Sequence, residues 1–213
     1  MRLYGSGEMV RAGSHDCRGC SACCRGMGDT IILDPLDIYR LTGYLNESFE
    51  GLLASCVGLH VEDGLLLPHL RMREETESCF FLNEEGRCTI HAFRPGLCRT
   101  FPLGRNYDNG ELTYFVVEGE CPQKNRSKVK VEKWIDTPDF EKYQAFLIRW
   151  HYFVKELRRR AAQMGEEERK SENLRYLQLF YLMPYDRERD FYSQFEERLG
   201  NGGKHEQSNF DHR

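Results

Sequence analysis

Nine cysteines in 213 residues, four of them packed into positions 17–24, constrain this chain more than any other feature of its sequence. They stand at positions 17, 20, 23, 24, 56, 79, 88, 98 and 121. A secreted disulfide scaffold pairs an even cysteine count with an apolar leader; here the count is odd, and MRLYGSGEMVRAGSHD carries no apolar stretch. A cytoplasmic protein is therefore the expectation. In a reducing compartment, clustered thiols serve as metal ligands or redox groups.

Two residues separate Cys17 from Cys20 and Cys20 from Cys23, and Cys24 follows directly. That spacing lets the chain fold back so that successive sulfurs face one volume, as a tetrahedral zinc site or a cubane cluster requires. Cys24 comes too soon to share Cys23's centre without a tight turn. It completes the set by a backbone twist, bridges two metals, or serves a second centre. The second group is Cys79, Cys88, Cys98 and Cys121. Cys79 and Cys88 flank Asn83-Glu84-Glu85-Gly86, which reads as a hairpin turn that brings them together. Cys98 lies in a loop stiffened by Pro95 and Pro102, with little ordering entropy left to lose. Cys56, beside Leu52 and Leu53 on a helical stripe, reads as core.

Charge extends the candidate site. A [4Fe–4S]2+ core on four thiolates carries about −2, and two all-cysteine zinc sites about −4, so donors and cations are needed nearby. Arg18, Arg25, Arg94 and Arg99 each lie within four residues of a cysteine. Arg94 and Arg99 flank the stiff Cys98 loop and are the candidates for cofactor binding.

The string Cys17-x2-Cys20-x2-Cys23-Cys24, with Cys79, Cys88, Arg94-Pro95-x2-Cys98-Arg99-x-Phe101-Pro102 and Cys121, resembles the CxxCxxCC proteins, also called the YkgJ family. The resemblance covers about residues 17–122 and implies zinc or iron chelation, leaving the metal open. It extends distantly to the flagellin lysine N-methylases, which carry a similar cluster and with which an iron–sulfur centre is associated. The family pattern is aromatic at the position of His91, so no ligand role is implied there.

The rest of the chain sets the frame. Residues 1–16 show no periodicity and read as a flexible tail. Ile31–Leu33 reads as a strand, and Asp34-Pro35 opens a helix striped by Ile38, Leu41 and Leu45. Ser48 caps a second, short helix, and Leu65–Leu70 reads as a strand interrupted near Pro68. Asn109-Gly110 turns a hairpin over Leu103–Val117. Lys124, Arg126, Lys128, Lys130 and Lys133 alternate as an exposed strand face does. After Cys121 there are no cysteines, and helical patterns follow to about 165, over 174–183 and over 186–199. Residues 200–213 read as a second flexible tail.

The expected fold is α+β, with a cysteine-rich metal-binding region over 17–122, built of short strands and hairpins, packed against a helical region over 137–199. A formal net charge of −4 gives no footprint for nucleic acid, and no apolar run approaches the length a membrane span needs. Phosphate-binding loops, nucleophile elbows and HExxH motifs are missing, as is a glycine loop for S-adenosylmethionine. The expected function is metal binding through clustered thiolates, with an iron–sulfur cluster of the [4Fe–4S] type preferred over Zn2+. The alternatives are a structural zinc module presenting the helical half to a protein partner, and a protein-methylating enzyme acting on a protein substrate.

Overall fold

A computed structural model describes residues 1–13 and 20–204, with side chains through 200. The fold is α+β, as expected. Its strands form four separate antiparallel pairs among the described residues, and helices dominate the C-terminal half. No helix is long and apolar enough to cross a membrane.

Residues 9–13 correct the expectation of a loose N-terminal arm. Strand β1 (Met9–Gly13) buries Val10 and Ala12 and is later paired by a strand more than a hundred residues away. Five residues of alternation are too short to stand out in the sequence, and only that distant partner makes them a strand. Helix α1 (Pro35–Leu45) starts as its sequence dictates. Asp34 accepts from the Asp37 backbone N–H at 2.9 Å while Asp37 accepts from that of Asp34 at 3.2 Å, a closed capping box with Pro35 in the first turn. Helix α2 (Phe49–Ser55) is capped by the Ser48 hydroxyl, again as expected.

Strand β2 (Val57–Glu62) was not legible in the sequence, yet it pairs along its whole length with β3 (Leu65–Leu70). The two-residue turn Asp63-Gly64 has positive φ at both positions (51° and 79°), the geometry that matches strand twist in a tight hairpin. β3 runs through Pro68 uninterrupted. Leu70 N–H donates to Ile31 and the Pro68 carbonyl accepts from Leu33, so this edge of β3 faces residues 31–33. The donor that proline lacks therefore falls on the side away from β2. The strand expected over Ile31–Leu33 is reduced to a single bridge, Ile32 to His69.

Strands β4 (Met72–Arg73) and β5 (Ser78–Cys79) form a two-residue pair. Helix α3 (Gly96–Thr100) carries Cys98. The hairpin of β6 (Leu103–Asp108) and β7 (Glu111–Val116) turns at Asn109-Gly110 as expected, with φ of 48° and 82°. Strand β8 (Ser127–Lys130), mostly exposed along the lysine run, pairs with β1. The lysine run then turns into helix α4 (Val131–Ile135).

Helix α5 (Phe140–Ala161) buries Tyr143, Leu147, Leu157 and Ala161, which recur at helical spacing in the sequence, and Phe146 beside them. Helix α6 (Glu166–Leu177) continues as one π-turn over Gln178–Leu182, so the apolar run 174–183 is helical, as read, with a change of winding inside it. Helix α7 (Phe191–Lys204) begins later than its amphipathic pattern suggests, because Asp190 accepts from the Ser193 N–H and acts as its cap. The tail expected from residue 200 first continues this helix and from 205 lies outside the described residues.

Polar clasps join the helices to the N-terminal half. Asn173 on α6 accepts from Leu66 N–H at 2.7 Å and donates to the Gly64 carbonyl at 2.9 Å. The Tyr181 hydroxyl donates to the Leu33 carbonyl at 3.1 Å. Asn173 is 6% exposed, so replacing it by Ala leaves part-buried backbone groups of the β2–β3 hairpin without their partner. Asn173→Ala should cost about 2 kcal/mol, read as a lower urea midpoint at unchanged slope.

Candidate metal centre

The thiols are placed by local turns rather than by long elements. Residues 22–24 form one 3-10 turn, entered through Ser21 in the left-handed region at φ 45° and closed by Cys24 N–H donating to Ser21. The chain then bridges to β5, Arg25 opposite Ser78, and Gly26 N–H donates to Glu77 at 2.8 Å. In this antiparallel register, stepping back from Arg25 to Cys24 means stepping forward from Ser78 to Cys79, so the two cysteines come side by side. Beyond Cys79 the chain folds back on itself. Leu82 bridges to Cys88, and Thr89 N–H donates to Phe81. The Arg73 guanidinium fixes that loop by donating to the carbonyls of Phe80 and Leu82, each at 2.6 Å.

Cys98 arrives from the other side, on α3. The start of α3 is anchored by the Gly96 N–H, which donates to Asp37 Oδ1 at 2.8 Å. Residue 96 has no room for a side chain. A Cβ there would lie 2.6 Å from the Tyr143 hydroxyl and 2.7 Å from Arg105 Nη2. Asp37, the first-turn partner in the capping box of α1, thus also sets the position of Cys98, 61 residues later in the chain.

The electrostatics report the resulting neighbourhood. Cys23 is exposed and Cys79 buried, with Cys24, Cys88 and Cys98 in between. Cys24 donates to the Cys23 sulfur, which lowers the Cys23 thiol to about 6, with a smaller contribution from the Arg94 charge. Cys24 is pushed up as the proton-holding partner, first by that hydrogen bond, then by burial, and by the charges of Cys23, Cys79 and Cys98. Cys98 is pushed up mainly by burial, then by Cys79, Asp37, Cys23 and Cys88. Burial also raises Cys79 and Cys88, helped at Cys79 by the charge of Cys88 and at Cys88 by that of Cys23. Five of the eight expected ligands therefore stand within electrostatic range of one another. Among the described residues no three such groups close around a single point.

The other expected positions are spread. Cys17, with Arg18, lies outside the described residues. Cys20 and Cys121 sit half-buried in loops. Cys56 is core, as read, at 1% exposure, yet its charge is also felt at Cys79, a proximity its helical stripe did not signal. Arg94 lies beside the thiols. Its charge lowers both Cys23 and Cys88, and its Nη1 meets His91 Nε2 at 2.9 Å. Arg99 is engaged differently, donating to the carbonyls of Ala92, Arg94 and Asp136. It clamps the loop before Cys98 to the end of α4.

The donor set suits a soft, thiophilic metal. Several sulfurs lie within electrostatic range of one another, one is held toward the thiolate form, and a guanidinium stands by to offset their charge.

Asp37 offers a pH signature. Burial, and next the charge of Asp34, push its carboxyl up to about 7 from an ordinary 3.8. The folded chain then keeps a proton that the unfolded chain has released. This group's contribution to stability falls as pH rises from about 4 to about 7. Asp37→Asn should remove that component, so stability of wild type relative to variant should decline across this window. Parallel urea-midpoint profiles for the two proteins would contradict the assignment.

No significant similarity links the chain to a curated protein, and none to a solved structure. Residues 16–122, half of the 213, match a family model described as “Putative zinc- or iron-chelating domain”. With the cysteine cluster, the arginine–proline loop of Cys98 and this match in agreement, the chain belongs to the CxxCxxCC family.

Proposed function

We propose that this chain holds an iron–sulfur cluster through thiolates drawn from Cys17, Cys20, Cys23, Cys24, Cys79, Cys88, Cys98 and Cys121. The observation that carries the reading is that Cys23, Cys24, Cys79, Cys88 and Cys98, brought from three separate stretches of the chain, lie within electrostatic range of one another. The compact Cys17-x2-Cys20-x2-Cys23 spacing resembles cluster-binding loops, and the Arg94 charge beside Cys23 and Cys88 suits an anionic cubane. When bound, such a cluster supplies one-electron redox chemistry or a structural staple. The chain's own residues do the rest: Asp37 and Arg99 position the Cys98 loop, Arg73 holds the Cys79 loop, and Arg94 offsets thiolate charge.

Protein purified without air should be brown and carry iron and acid-labile sulfide in about equal amounts. Cys23→Ser and Cys98→Ser should each lose most of both, and Cys56→Ala should lose neither, since a small apolar residue suffices in that core. Bound zinc without sulfide would replace the cluster by a structural zinc site. Absence of any bound metal after anaerobic purification would defeat the reading.

Metal removal should act unevenly. Binding free energy is folding free energy for the loops it staples, whereas α5, α6 and α7 share an aromatic core around Trp150, Phe180 and Phe195. After chelation, amide protection should drop over 72–101 and persist in α5. Equal loss in both regions would show a single cooperative unit instead.

A further inference from the structure

A cavity of about 320 Å3 lies between α1, the β6 strand and α5, and reaches α3, the helix of Cys98, through Leu97. Its apolar walls come from Ile32, Leu147, Trp150 and Val154. One side is a flat, stacked pair, the rings of Tyr107 and His151, with centroids 3.9 Å apart and planes within 4°.

The polar groups of this cavity do not balance. On the acid side, Asp34 and Asp37 already accept backbone N–H groups from each other and from Gly96. Their charge also faces the Arg105 guanidinium beside them. On the basic side donors are left over. The Nε–H groups of Arg105 and Arg158 are buried and find no acceptor among the described residues. Arg158 meets Glu62 at 3.0 Å through Nη2 and Asp63 at 3.9 Å through Nη1, which still leaves that Nε unused. Lys155, exposed on the cavity lining, has no carboxylate partner among the described residues and lies over the Tyr152 ring at 5.9 Å. The field of these cations reaches inside, since the charges of Lys155 and Arg158 add to burial in lowering His151. Unpaired buried donors in an apolar pocket are costly until an acceptor arrives.

We propose that this cavity binds a small organic anion: a flat apolar body seated between Val154 and the Tyr107–His151 pair, with one carboxylate or phosphate held by Lys155, Arg158 and Arg105. The size supports a compact ligand, since small-molecule sites run from roughly 300 to 1,000 Å3 and this one lies at the low end. The inference does not depend on which metal the thiols hold.

The test is calorimetric titration of the full-length, as-purified protein with benzoate, phenyl phosphate and the neutral benzyl alcohol, with Trp150 emission as a second signal. At least one anion should bind in the low-millimolar range or tighter, and benzyl alcohol should bind at least roughly tenfold more weakly. The stronger anion tells whether carboxylate or phosphate is the natural group. Lys155→Met should weaken the anion about tenfold and leave the alcohol unchanged, because it removes one charge-assisted contact at an exposed position. Val154→Phe fills the cavity without altering charge and should abolish both. Equal affinity for anion and alcohol, or anion binding unaffected by both substitutions, would overturn the proposal. So would failure of both anions to bind wild type.

Discussion

Thiols gathered as closely as Cys23, Cys24, Cys79, Cys88 and Cys98 repel one another once ionised, and all of them except the exposed Cys23 resist ionisation. The architecture around them consists of devices that hold short loops together against that cost. The Arg25–Ser78 bridge aligns the first loop with the second, Arg73 ties down the carbonyls after Cys79, and Asp37 pins the first residue of α3. Each device is a backbone anchor, so the loops are fixed while the sulfurs remain available. A thiophilic metal would convert the repulsion into bonding, which is why a chain of this family can build so much of its N-terminal half from strands of two to six residues.

The helical half contributes by clasping. Asn173 and Tyr181 replace water on backbone groups of the β2–β3 hairpin and of residue 33, and Trp134 donates to the carbonyls of Thr100 and Phe101 next to the cysteine helix. Arg99 belongs to the same set. Expected beside the bound group because of its place after Cys98, it spends its guanidinium on three carbonyls and acts on the site by fixing the loop. Arg94, on the same loop, stands close enough to the thiols for its charge to act on Cys23 and Cys88.

What was legible in the sequence was local. The Asp34-Pro35 helix start, the Asn109-Gly110 turn and the stripe of α5 are signals carried within a few residues, and each appears where its chemistry places it. The thiol clustering was legible because cysteine spacing is itself a local signal. The misses are long-range. β1 exists because β8 pairs with it, β2 because β3 does, and Asp37 reaches Gly96 only once the fold has closed. Pro68 misled for a related reason, since its harm depends on which strand edge it faces, and that is a tertiary fact. The cavity between α1 and α5 was equally hidden, its donors coming from residues 105, 155 and 158 with no motif between them.

The central claim is that sulfur from converging loops forms the coordination shell. X-ray absorption on the as-purified protein measures that shell at the edge of whichever metal is bound. The account predicts a first shell of sulfur alone at about 2.3 Å, with a metal–metal shell behind it for an iron–sulfur cluster. A first shell made of nitrogen and oxygen at about 2.0–2.1 Å would contradict it, because the converging thiols would then not be the ligands.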